Sequence, residues 1–125
     1  MKKIINTANA PAAIGPYSQA TVHHHTLYVS GQLPIDLVSG DLVTADISAQ
    51  TTQAMQNLKA IIEAAGGKME NILKTTILLT DLAHFASVNE AYAAFFPSEP
   101  PARICYQVTA LPKGAEVEID AIVGL

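Results

Sequence analysis

The 125-residue chain has one cysteine and one arginine, and charged residues make up only 14% of it. A lone thiol, Cys105, excludes an internal disulfide and any paired-cysteine redox or metal motif, which suits a reducing compartment. Cations are equally sparse: seven Lys and Arg stand against eleven Asp and Glu, for a net charge of −4. The lysines at positions 2, 3, 59, 68, 74 and 113 are scattered, so no basic stripe forms and nucleic acid is not expected as a partner. No apolar run approaches the length of a membrane span. Met1-Lys2-Lys3 has no apolar stretch behind it, so no membrane segment or leader is expected and the expected location is cytoplasmic. No phosphate loop, dinucleotide fingerprint or zinc-protease helix occurs, and no cofactor is expected. His23-His24-His25 has the composition of a metal cluster, but three successive residues converge poorly on one tetrahedral ion. No Cys, Asp or Glu group completes the set, so no metal is expected either.

What the chain has in quantity is apolar surface: half its residues are hydrophobic and its mean hydropathy is +0.27. One domain of this length buries its own core without staples. The surplus is more than a monomer of this size hides comfortably, which predicts a homo-oligomer, most simply a closed ring. Short strands are expected at Lys2 to Ile5, Gln19 to Val22 and Thr26 to Ser30, separated by turn material. Asp46 stands as an N-cap before Thr51, Ala54, Met55, Leu58, Ile61, Ile62 and Ala65, whose spacing predicts a helix ending at Gly66-Gly67. Asn71 to Thr80 is β-branched and reads as a central strand. Asp81 then caps a second helix with a stripe of Leu82, Phe85, Val88, Ala91, Tyr92, Phe95 and Phe96, stopped by Pro97. Pro100-Pro101 leads into a strand from Ala102 to Val108, and a last strand is expected from Glu116 to Val123. The order implies an α+β fold, a mixed sheet with both helices on one face and the other face covered by a neighbouring copy.

Arg103 is the first candidate for ligand binding, because a planar five-donor fork in an alternating apolar segment suits a carboxylate or phosphate gripped in two places. The alternative is a structural ion pair with an internal Asp or Glu. Alternation puts Arg103, Cys105 and Gln107 on one side of their strand, and Glu116, Glu118 and Asp120 on one side of theirs. Were these strands neighbours, the fork and a carboxylate would share a cleft, leaving Glu118 to orient and deprotonate a water. Glu116 and Asp120 read as a solvated face. Cys105 lacks a motif that would position a base beside it, so it reads as a small buried hydrophobe rather than a nucleophile. Ser30 is a donor at a strand end beside Gly31, where backbone can approach a ligand closely, and Tyr17 can lend a hydroxyl. His84 reads as a surface or packing residue.

Gly15-Pro16-Tyr17-Ser18-Gln19-Ala20, Val29-Ser30-Gly31-Gln32, Asn89 to Phe96, Pro101-Ala102-Arg103, and Leu111-Pro112-Lys113 followed by Val117-Glu118-Ile119 run in order through nearly the whole chain. Together they resemble the signature segments of the Rid/YjgF family of reactive intermediate deaminases. The resemblance implies a chorismate-mutase-like protomer in a homotrimer, with the sheets forming a central barrel and three clefts between subunits. It implies hydrolysis of imino and enamino acids such as 2-aminoacrylate and 2-aminocrotonate to 2-keto acids and ammonia. Arg103 would clamp the substrate carboxylate and Glu118 would activate water. Backbone groups of Gly31 and Cys105, with Ser30 and Tyr17, would surround the substrate. Tyr106, Ala110 and Asp120 depart from the family pattern in ways that bear on substrate preference. The alternatives are a trimeric small-carboxylate-binding or sensor module without turnover, and an RNA-cleaving, translation-inhibiting or holdase-like family member.

Overall fold

Six strands form one sheet in the order β1-β2-β3-β6-β4-β5. The computed structural model describes residues 1–125, with β1 at Lys3–Ile5, β2 at Ala20–His23, β3 at Thr26–Gln32, β4 at Ile72–Leu79, β5 at Ala102–Gln107 and β6 at Val117–Gly124. Only β4 and β5 run parallel; β4 pairs antiparallel with β6 on its other side. A parallel pair needs a long crossover, and helix α2 (Phe85–Ala93) supplies it. Helix α1 (Ile47–Ala64) joins β3 to β4. Its start is fixed by Asp46, whose carboxylate accepts from the Ala49 amide at 2.8 Å. Its end is marked by Gly66 at φ 82°, a left-handed conformation that glycine adopts without cost.

Both helices cover one face of the sheet. Leu27, Ile77, Ile119 and Val123 from the strands meet Met55, Leu58 and Ile62 of α1 and Val88 of α2, all with no exposed surface. The opposite face is covered within the chain only in part, where Leu78 packs against a small second cluster of Leu33, Ile35, Leu111 and Ala115; elsewhere on it Tyr28, Ile104 and Tyr106 are 48%, 44% and 50% exposed. Register places Tyr28 beside Ile122, and Leu78 between Tyr106 and Glu118. The alternation expected from the sequence is therefore present, with one face packed and one apolar face largely bare. No helix is long and apolar enough to cross a membrane.

Two segments differ from the sequence reading. The second helix is interrupted: Leu82–His84 is a 3-10 turn, and the α-helix spans only Phe85–Ala93. Asp81 caps that turn through the Ala83 amide at 2.9 Å, while the Gln107 side chain holds the Leu82 amide at 2.9 Å and ties the turn to β5. Strand β3 runs past Ser30 to Gln32, because a bulge lets Gln32 regain pairing with Ile119. The triple-histidine segment is a hairpin turn with His24 at φ 54°, and its side chains are exposed.

Candidate functional site

The strands bearing Arg103 and Glu118 are not neighbours, because β4 lies between β5 and β6. Arg103 pairs in register with buried Thr75, which places it on the helix-covered face. Glu118 pairs with Leu78 on the bare face. Within one chain the two groups therefore lie on opposite sides of the sheet and cannot meet in one cleft. The conditional expectation of a shared cleft between adjacent strands fails, since the parallel crossover through α2 sets β5 outside β4.

Around Arg103 the structure builds a holder for the guanidinium. Nη1 donates to Asn89 Oδ1 at 2.7 Å, and the guanidinium carbon lies 5.5 Å from the Phe85 ring centre and 5.2 Å from that of Tyr92. Phe85, Asn89, Tyr92 and Phe96 stand at helical spacing, so one face of α2 and its continuation meets the arginine. No carboxylate pairs with Arg103, which disposes of the internal ion-pair alternative; the single ion pair, His84 with Glu116 at 3.8 Å, lies elsewhere on exposed side chains. Arg103 opens onto a cleft of about 390 Å³ lined also by Asn89, Tyr92, Phe96, Pro100 and Pro101. The fork is thus buffered by a neutral amide and two aromatic faces, with its remaining donors uncommitted.

Glu118 sits in a second pocket of about 310 Å³ with Tyr17, Ser30, Gly31, Ile14 and Pro112. A Cβ added to Gly31 would stand 2.9 Å from Glu118 Cδ and Oε1. Glycine is required here for closeness and not for φ, and its absent side chain is the space the carboxylate occupies. Ser30 Oγ donates to the Ser18 carbonyl at 2.6 Å, and Tyr17 Oη accepts from the Ile14 amide at 3.2 Å. These bonds fold the N-terminal turn over the pocket. Burial pushes the Glu118 carboxyl above the usual carboxylate range, and the neighbouring charge of Asp120 pushes it the same way. Asp120 itself is held by the Thr76 amide at 3.1 Å. A carboxylate made more basic in a pocket is suited to take a proton from water.

Of the residues singled out from sequence, Tyr17, Ser30, Gly31 and Glu118 converge; Arg103 lies apart, and the Cys105 side chain lines neither pocket. Burial raises the Cys105 thiol pKa, the Arg103 charge opposing it, which disfavours a reactive thiolate. Its backbone has a different position. Val108 donates to Leu79 on β4, so alternation turns the backbone groups of Arg103, Cys105 and Gln107 outward from the sheet edge. Sequence reasoning misses the holder: Asn89 falls within a signature segment without a role, and Phe85 and Tyr92 read as core. The signal is present in their common helical face, with a polar residue between the aromatics.

The chain and its fold have counterparts among known proteins. The family described as Endoribonuclease L-PSP matches residues 7–125. The 2-iminobutanoate/2-iminopropanoate deaminase of Bos taurus is 51% identical over 122 residues, which cover 98% of this chain and 89% of that protein. The Rid-family protein YyfA of Yersinia pestis superposes with a TM-score of 0.97 at 48% identity over the whole of both chains. The crystal structure of E. coli TdcF with bound serine has a TM-score of 0.94 at 41% identity, covering 98% of each chain.

Proposed function

The chain belongs to the endoribonuclease L-PSP family, the Rid/YjgF proteins whose signature it carries, and on that premise we propose that it is an enamine/imine deaminase. It is a hydrolase of C=N bonds, converting 2-aminoacrylate and 2-aminocrotonate, through their imine tautomers, to 2-keto acids and ammonia. Relatives of that name match it at about half identity over nearly its full length. The serine named with TdcF supports a small α-amino-acid skeleton as ligand.

The observation that carries the site assignment is a pairing of opposites. Arg103 is a fork with no carboxylate partner, and Glu118 is a carboxylate with no cation beside it and a raised pKa. Each is half of a site for a molecule bearing a carboxylate and an electrophilic carbon. Their placement on opposite faces of one sheet supports a site whose halves come from different subunits. The bare apolar face of the sheet supports a homotrimer in which these faces close a central barrel, with a cleft at each subunit boundary. In that cleft Arg103 grips the substrate carboxylate, while Ser30, Tyr17 and backbone groups of Gly31 and Cys105 surround the imine. Glu118 takes a proton from water as its oxygen adds to C2. Glu118 hands that proton to the nitrogen to give the aminoalcohol; it then takes the hydroxyl proton and passes it to the nitrogen, so that the C=O bond forms as the C–N bond breaks and ammonia leaves. Imines hydrolyse unaided, so orientation and proton transfer through one carboxylate suffice. The lone arginine and net charge of −4 favour small molecules over RNA, and a cytoplasmic location accords with the lone thiol.

The test generates the enamine in situ from serine or threonine with a dehydratase and follows keto-acid release. Wild type is expected to accelerate release and Arg103→Ala to lose that acceleration. Equal acceleration by both removes Arg103 from the mechanism, and none by wild type leaves a binding module without turnover.

A further inference from the structure

A guanidinium used as a clamp must present one particular edge, and the contacts of Arg103 specify which. Nη1 spends one of its hydrogens on Asn89, so the Nε–Nη2 edge is the one that keeps all its donors for two parallel bonds to a carboxylate. Rotation of the fork about its own axis is then limited by what lies beside its plane. Phe85 and Tyr92 both lie beside the guanidinium, yet they differ in how they are held. Phe85 is 40% exposed and Tyr92 only 5%. Tyr92 Oη lies 2.6 Å from Thr75 Oγ1, and Thr75 is completely buried. Thr75 is also the register partner of Arg103 on the adjacent strand. One strand pair therefore carries both the clamp and the anchor of the ring that steadies it.

Resting on the deaminase reading, we infer that Tyr92 is a positioning residue for the substrate clamp, anchored by Thr75, and that the hydroxyl–hydroxyl bond sets the affinity for the substrate carboxylate. A buried hydroxyl pair deep beside an arginine has no need to exist for packing alone; a phenylalanine against a valine would fill nearly the same volume. The bond fixes the tilt of the Tyr92 ring, and the ring fixes the plane of the fork. A carboxylate is gripped in ground and transition states alike, so loosening the fork raises KM more than it lowers kcat.

Kinetics and keto-acid affinity of Tyr92→Phe, Thr75→Val, Thr75→Ser and the double variant Thr75→Val/Tyr92→Phe, with 2-oxobutanoate titrated calorimetrically, test this. Each of the first two variants leaves one buried hydroxyl without a partner. Each is expected to weaken 2-oxobutanoate binding and raise KM about five- to tenfold, with kcat within about twofold. Thr75→Ser keeps the hydroxyl and is expected to behave as wild type, and the double variant to be no worse than either single one. Val88→Ala, in the core of the same helix, is the control: it lowers the Tm without changing keto-acid affinity. Unchanged affinity in both hydroxyl variants, or an equal loss in Val88→Ala, overturns the inference. Wild type that binds 2-oxobutanoate without turnover would sink the enzymatic reading while the affinities still decide the role of Tyr92; wild type that binds none overturns both.

Discussion

Replacing Gly31 with alanine should perturb Glu118, the carboxylate proposed to activate water, without touching Arg103, the proposed clamp. The added Cβ would lie 2.9 Å from Glu118 Cδ and Oε1, where ordinary contact begins at 3.4 Å, so the carboxyl must retreat by at least half an ångström. The fold loses little, because the atoms that must yield end a flexible side chain and the Gly31 backbone is one that alanine adopts. Reduced freedom of the unfolded chain offsets part of the strain, so stability should stay within about 1 kcal/mol of wild type. Catalysis is less tolerant: a misplacement of about 1 Å costs on the order of 100-fold, so half of that predicts roughly a tenfold fall in kcat. KM, which the proposed clamp Arg103 on the other face would set, should hold. The coupled dehydratase assay reads both constants and a thermal melt reads the fold. A Gly31→Ala protein with unchanged kcat refutes the claim that Glu118 must lie against that backbone; one that no longer folds shows the glycine to be structural.

Glu118→Gln should abolish turnover yet raise the Tm at pH 8. The folded-state pKa of Glu118 is raised, so its stabilising contribution is present below the unfolded pKa and is lost as pH rises through the folded value. The Tm difference between variant and wild type should accordingly vanish below about pH 4, and a constant difference at all pH values would contradict it. In wild type the rate should fall as pH drops through that raised pKa, with a midpoint above the ordinary carboxylate range, measured as kcat against pH. Cys105→Ala should keep kcat within about twofold, since burial raises the thiol pKa and the side chain lines neither pocket; a loss of several hundredfold in the same assay would restore the nucleophile. Asp46→Ala should cost about 1 kcal/mol in denaturant unfolding through the lost cap of α1, with activity unchanged.

The elements are legible where local chemistry decides them. Asp46 and Gly66-Gly67 bracket α1 because capping is a matter of adjacent residues, and β4 declares itself by Thr75, Thr76 and Ile77. The break after His84 is not legible, since the bond from Leu82 to Gln107 that holds the 3-10 turn spans 25 residues. Alternation correctly assigns faces within β5 and within β6, yet it carries no information on strand order. That is why a common cleft for Arg103 and Glu118 follows only on the condition of adjacency, and why the intervening β4 undoes it. The pocket residues Tyr17, Ser30 and Gly31 are legible as a motif, whereas the closeness of Gly31 to Glu118 depends on the bulge between β3 and β6. Asn89 and Tyr92 look like an ordinary helix face because nothing local distinguishes an aromatic that packs from one that steadies a cation.

Mixing two inactive variants, Arg103→Ala and Glu118→Gln, tests the division of the site between subunits most directly. The two proteins are unfolded together, refolded into mixed oligomers, on the proposal mixed trimers, and assayed for keto-acid release. Random assembly places an intact Arg103 opposite an intact Glu118 at about one boundary in four, so about a quarter of wild-type activity should return. A mixture as inactive as its components, with assembly into mixed trimers verified by mass, would place both residues' work within one chain and contradict the account.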